Sequence, residues 1–212
     1  MNKPLLRSIV KSFYDAQKLR IEVGNRICQN VRVRLGQSPG EKTEEMPEQA
    51  QTLLKELLED YERITDGLTT DSNRAKTKAI AVNSGVISDI FEYELIGYYR
   101  DTLDSEQRLE KNVTAIVKTF PIWTNFLEGV RGCGPLMAAV IISELDPHKA
   151  RSISSFWKYA GLDVVVNDQG IGEGRSRKSH HLVKSTYTDK DGNEQTKNGI
   201  SFNPFLKTKL VI

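Results

Sequence analysis

Apolar residues recur at helical spacing over most of the first 120 positions and change to alternation only after Gly161. Leu6, Ile9, Val10, Phe13, Tyr14, Leu19, Ile21, Val23 and Ile27 are interleaved with Lys and Arg, which predicts one long basic helix over residues 3–34. Gly36-Gln37-Ser38-Pro39-Gly40 breaks it and makes the best linker in the chain. A second helix is expected to start between residues 44 and 47. Its seam, Ala50, Leu54, Leu57, Tyr61, Ile64 and Leu68, alternates steps of four and three, a heptad-like stripe suited to a partner helix. A break is expected at 67–72. A third helical stretch follows over 74–102, with Ile87, Ile90, Phe91, Leu95 and Tyr99 on one face. Tyr93, Tyr98 and Tyr99 are expected to pack half-buried rather than to stack on bases. Residues 103–120 continue helical, and Pro121 opens a short helix.

Residues 126–145, FLEGVRGCGPLMAAVIISEL, then read as a helix end, a glycine turn and a second apolar helix. Pro135 suits the first position of that helix, and Ala138 and Ala139 allow close helix packing. Backbone N–H groups of Gly132 and Gly134 at a helix N-terminus, with Arg131 beside them, can receive a phosphate oxygen; an ordinary helix–turn–helix hairpin without ligand is the plain alternative. After Gly161 the pattern predicts strands. Residues 162–166 and a return from Ile171 flank the turn at 167–170, and a second hairpin spans 181–197. Asp189-Lys190-Asp191-Gly192 starts like a calcium loop, but Ile200 stands where the twelfth-position acid belongs.

Composition adds bounds. Of 212 residues, 38% are hydrophobic and 27% charged, a globular balance large enough for one or two cores. No apolar run reaches the roughly 18 residues of a membrane span, and the N-terminus carries no secretory pattern. Cys28 and Cys133 belong to no C-x-x-C pair, so no metal cluster is expected and a reducing cytoplasm is the expected compartment. Cys133 is expected as a small apolar plug. The net charge of +2 conceals an asymmetry: residues 1–34 hold eight Lys/Arg against two acids, 35–130 ten against eighteen, and 131–212 twelve against eight. Basic ends around an acidic middle suit nucleic acid at the ends, and Arg20, Arg26, Arg32 and Arg34 either line a phosphate backbone or keep the helix soluble.

The densest polar cluster is GEGRSRKSHH at 172–181. Arg175, Arg177 and Lys178 offer phosphate contacts. Ser176 or Ser179 among these cations is a candidate nucleophile on a phosphodiester, with His180 or His181 as the nearby base. Adjacent histidines diverge and no third ligand follows at metal spacing, so no metal site is assigned.

The order of these pieces resembles the C-terminal domain of the insertion-sequence 110 transposase family, with its 116 and 902 relatives. The G-x-G-P-x-x-A hairpin, the acidic end at Glu144, the F-x-x-x-A-G-L helix from Phe156 to Leu162, the basic loop, and Ile200-Ser201-Phe202-Asn203 running on to Leu206 and Leu210 all fall in place. The resemblance implies DNA as partner and transposition or recombination as the process, with a guide RNA as a further partner. Magnesium is implied only through a nuclease partner, and no cofactor is evident in this chain. Two departures stand out. The family's catalytic serine directly precedes a glycine, whereas Gln169 precedes Gly170 here, so Ser176 or Ser179 replaces it only if the loop is shifted. The family's N-terminal nuclease domain is expected to be missing, because the first 125 residues read helical throughout.

The expected fold is therefore mainly α: a basic helical arm (1–35), a coiled-coil-like helical stalk (41–120) that carries a homo-oligomer contact, and a helix-hairpin-helix domain with small β-hairpins (121–212). The expected function is DNA binding by a divergent or truncated transposase-related protein. By itself it is expected to bind DNA without cutting it. The alternative is a helical protein-interaction scaffold without DNA binding.

Overall fold

The computed structural model describes residues 3–38, 47–69, 82, 85–167 and 169–211. It is mainly helical, with two small antiparallel hairpins. The helices with described bounds are α1 (Lys3–Arg34), α2 (Glu48–Thr69), α3 (Ile90–Val117), α4 (Pro121–Asn125), α5 (Pro135–Glu144), α6 (Ile153–Ala160) and α7 (Pro204–Leu210). The strands are β1 (Val164–Val166), β2 (Gly172–Gly174), β3 (Leu182–Thr188) and β4 (Glu194–Ile200), paired β1–β2 and β3–β4. The chain divides into two compact units, Lys11–Asn112 and the remainder, Met1–Val10 with Val113–Ile212.

In the Lys11–Asn112 unit the helical seams meet in one core of Ile27, Val31, Ala50, Leu57, Ile64, Val82, Ile87, Tyr93 and Ile96. The heptad-like seam is thus covered by this chain's own residues, with Ala50 and Leu57 fully buried; Leu68 lies outside the described side chains. Tyr93 is buried and Tyr99 packs against this core, whereas Tyr98 is exposed. Of the break expected at 67–72, residues 67–69 are still helical, because α2 runs on to Thr69, and 70–72 lie outside the described residues. Residues 85–89, within the helical stretch expected at 74–102, are not helical, and there an acid holds the chain off helical geometry. The Asp60 carboxylate accepts the Ile87 N–H at 3.0 Å and the Arg63 guanidinium at 2.6 Å. A Cβ on Gly85 would stand 2.3 Å from Asp60 Oδ2, so only glycine lets the backbone come so near. Two arginines of the basic helix turn inward: Arg20 pairs with Glu106, and Arg34 meets Glu92 at 2.8 Å. Those charges close the unit rather than face a phosphate.

Burial raises the Asp60 carboxyl, but the hydrogen bonds from Ile87 and Arg63 outweigh it and hold the group below its ordinary range. Asp60→Ala is expected to destabilise the unit by about 2 kcal/mol, since it strands a buried N–H. A depressed carboxyl adds stability that is complete above its unfolded value of about 3.9 and is lost as pH falls through the lower folded one. Urea midpoints at pH 7 and pH 3 check both points: the wild-type protein should lose an increment that Asp60→Ala lacks.

In the other unit, α5 packs on α7, and so does α6. The small faces of Ala138 and Ala139, both fully buried, permit that approach. The first arm of the expected helical hairpin is short: α4, then a single 3-10 turn at Leu127–Gly129. Gly161 ends α6 in the left-handed region (φ 70°) beneath the Phe202 ring. Asn203 caps α7, its side chain accepting the Leu206 N–H at 3.1 Å.

Candidate active site in the loop after β2

The loop between β2 and β3 is held at both ends. Arg175 makes a bidentate pair with Asp163, Nε and Nη2 each 2.7 Å from a carboxylate oxygen, and its Nη1 donates to Ser201 Oγ at 2.8 Å. Lys207 on α7 donates to the Arg175 carbonyl. The Arg175 guanidinium lowers the Asp163 carboxyl, mainly through these hydrogen bonds, and is itself raised. Arg175, expected on a phosphate, is therefore spent inside the fold with its side chain 11% exposed. A 3-10 turn at Ser179–His181, closed by the His181 N–H on the Lys178 carbonyl (2.9 Å), then folds the chain back.

That reversal lays the His181 ring against Ser176. The Ser176 backbone N–H donates to Nδ1 at 2.9 Å, and Ser176 Oγ lies 3.0 Å from the same atom. An Nδ1 that accepts a backbone N–H carries no proton, so the serine hydroxyl is the second donor and the ring proton sits on Nε2. His181 Nε2 stands 3.0 Å from Glu173 Oε1 but off the line of a directed hydrogen bond, and the imidazole is fully buried. Lys178 Nζ is 2.5 Å from the other carboxylate oxygen, and His180 Nε2 touches Oε1. Lys178 first, then His180, pull the Glu173 carboxyl down to about 2. Serine, neutral imidazole and fixed carboxylate thus stand in the relation that activates a hydroxyl nucleophile. Ser176, not Ser179, holds that place. His181 matches one of the two bases foreseen from sequence; Glu173 was missed, though a strand acid three residues before the serine was the available signal.

Glu173, His180 and His181 also bring ligand atoms within 4.8 Å of one another. The ring chemistry opposes a metal there. A metal on His181 Nε2 would put the proton on Nδ1, where the Ser176 N–H already points. Magnesium in particular prefers all-oxygen sets, which two imidazoles do not supply.

Of the remaining sites foreseen, Arg177 and Lys178 are exposed in this loop, and Arg131, Gly132 and Gly134 are exposed at the turn before α5. Gly132 adopts φ 85°, as the turn requires. Gly134 is extended (φ −70°, ψ 171°) with open space around it, and no side chain caps α5. Cys133 is buried, which raises its thiol and keeps it protonated, in keeping with a plug.

Residues 124–186 match the family model of the Transposase IS116/IS110/IS902 family. The match covers less than a third of the chain; it contains the glycine turn, α5, α6 and the whole serine loop, and ends inside β3. Asn203 and α7 lie beyond it. No curated protein and no solved structure matches the chain. The transposase match indicates a role related to transposition. Gln169, standing where the transposase serine was sought, is exposed in the β1–β2 turn, and the serine with a base beside it is Ser176. Among the described residues no helix is long and apolar enough to cross a membrane.

Proposed function

We propose that this protein acts on DNA in transposition, and that Ser176 is the nucleophile of a serine-dependent strand transfer. The observation that carries the reading is the Ser176–His181 hydrogen bond inside the transposase-matched segment. A free serine hydroxyl is a weak nucleophile; the imidazole in contact is His181, one of the two candidate bases the sequence offered. In the reaction Oγ bonds to phosphorus, its proton passes to His181 Nδ1, and the bond from phosphorus to the leaving strand oxygen breaks. The departing oxygen takes up a proton from water, and in the reverse sequence a strand hydroxyl attacks phosphorus, loses its proton to water, and Oγ leaves with the proton returned by His181. The Ser176 N–H shares the Nδ1 lone pair, which tempers the base until the hydroxyl proton arrives. Glu173, anionic down to a pH of about 2, faces the imidazolium that forms. Arg177 and Lys178 stand where phosphate charge needs neutralising, and Arg175 positions the loop instead of touching DNA.

Replacing Arg177 and Lys178 together with alanine is expected to weaken binding to all DNA sequences alike. Two lost phosphate contacts predict a log-affinity against log-salt slope smaller by about 1.8 on duplex DNA. Gel shifts across a salt series read the slope; an unchanged slope removes the loop from the interface, and no DNA binding even at low salt leaves the scaffold reading. Gly134→Ala tests the turn separately. Its backbone is ordinary and its surroundings open, so folding should be unaffected while a closely approaching phosphate would be pushed away. An affinity equal to wild type would assign the turn to structure alone.

A further inference from the structure

A cavity lined by no residue of the serine loop lies within the unit formed by Met1–Val10 and Val113–Ile212. It is a cavity of about 860 Å³ between the first turns of α1, the end of α5 and one face of α6. Lys3, Arg7, Glu144, Lys149, Phe156 and Tyr159 line it. Its volume is in the range of small-molecule and cofactor pockets.

Glu144 is the anomaly. It is 5% exposed, and only one of its carboxylate oxygens is satisfied: Oε2 accepts Asn203 Nδ2 at 2.6 Å. Oε1 is buried without a hydrogen bond, as is Arg7 Nε, although the two atoms stand 3.2 Å apart as an ion pair. A buried acceptor and a buried donor that face each other without a directed hydrogen bond are poorly satisfied, and a ligand's polar groups could serve both better. The wall beside them is aromatic. Tyr159 is 39% exposed, its hydroxyl accepting from Asn203 at 3.1 Å, which steadies the ring. Lys3, Arg7 and Lys149 bring cations to the same space.

One ligand chemistry uses all three features. Anions alone would leave the aromatic wall unused, and an apolar ligand would offer the carboxylate and the cations no polar partner. A planar ring bearing an N–H donor, joined to a phosphate, answers each. We propose that this cavity is a nucleotide subsite: the base stacks on Tyr159, its exocyclic amine takes the place of Arg7 Nε at Glu144 Oε1, and Arg7, so released, holds the phosphate together with Lys149. Bases with an exocyclic amine are then favoured over thymine, whose one ring donor, N3–H, is flanked by two carbonyl oxygens that the carboxylate repels. A free nucleotide and a nucleotide turned out of a DNA strand share this chemistry; the second source rests on the DNA-directed reading above, the first does not.

The test uses the full chain. Equilibrium binding of dAMP, dCMP, dGMP and dTMP should rank dTMP weakest by roughly tenfold or more, the worth of one hydrogen bond to a charged acceptor. Tyr159→Ala should weaken all four by between fivefold and about a hundredfold, whereas Tyr159→Phe should keep most of the affinity. Glu144→Gln should reverse the order. With its amide oxygen toward Asn203, it presents an amide N–H to the cavity and favours thymine. That reversal cannot come from misfolding, which would lower all four alike. In parallel, a single-stranded oligonucleotide with one 2-aminopurine reports the source: a fluorescence change lost in Tyr159→Ala means a strand nucleotide enters, and its absence alongside mononucleotide binding means the free ligand. Binding indifferent to base and to Tyr159, or no binding at millimolar nucleotide while gel shifts with DNA persist, would mean a hydrated groove only and overturn the proposal without touching the DNA reading.

Discussion

Ser176→Ala is expected to abolish a covalent protein–DNA adduct that the wild-type chain forms on supercoiled plasmid carrying candidate element ends. The loss should be about a thousandfold or more, because the nucleophile of a base-activated site has no substitute. His181→Ala should fall nearly as far, since it removes both the base and the acceptor that orients the hydroxyl. Glu173→Gln should cost less: it keeps the loop's shape but removes the charge facing the imidazolium. Ser179→Ala should leave adduct formation intact, as His181 is occupied by Ser176. The Glu173 carboxyl, held down to about 2 chiefly by Lys178 and then by His180, stays ionised at any higher pH, so the charge facing the imidazolium is constant across the ordinary assay range. An adduct that survives Ser176→Ala would move the nucleophile to another residue, and none with a wild-type chain that still binds DNA would return the protein to a binding module.

Gly161→Ala is expected to destabilise the Val113–Ile212 region by about 3 kcal/mol. Two costs add. At φ 70° and ψ 25° a Cβ meets its own carbonyl, worth about 1 kcal/mol. The new methyl would also stand 2.5 Å from Phe202 Cδ2 and 2.8 Å from Cγ, an overpacking of the kind that costs about 1–3 kcal/mol. Phe202 has little freedom to retreat, because the next residue is pinned: the Asn203 N–H donates to the Tyr159 carbonyl at 2.7 Å, and its side chain reaches Glu144. Urea unfolding measures the total, and the double mutant with Phe202→Leu separates the terms. The steric part should shrink in the double mutant and the backbone part remain. A cost below about 1 kcal/mol would show that the ring can move aside.

The glycine of the A-G-L motif therefore has a physical reason that the sequence reading lacked. Gly161 was visible as the end of α6, where a left-handed residue satisfies the last carbonyls. That a ring from forty residues later would seal the space above it was not visible, since nothing in local spacing says which residue will cover a helix end. Arg175 shows the same limit. In sequence it belongs to a run of cations, and a run of cations reads as a phosphate site. In the fold its planar, five-donor group is matched by Asp163 and Ser201, so it locks the loop. Arg20 and Arg34 were likewise read among the cations of the basic helix and turn out to face Glu106 and Glu92.

What the sequence determined by itself is local and periodic. The course of α1, the seam of α2, the helix through residues 103–117, Pro135 at the head of α5 and both hairpins follow from spacings of three, four and two, and from turn residues whose dihedral preferences act within a few positions. The resemblance of the region around the glycine turn and α6 to a transposase domain was legible for the same reason, as an order of short motifs. Tertiary structure decided what each face meets. The heptad-like seam was open to any partner helix and was filled by the chain's own core, because burial is non-directional and takes the nearest apolar surface. Of two serines and two histidines within six residues, only the fold pairs Ser176 with His181, through a loop clamped at Asp163 and Lys207. Hydrogen bonds need heavy atoms about 3 Å apart and correctly aimed, and spacing along the chain sets neither.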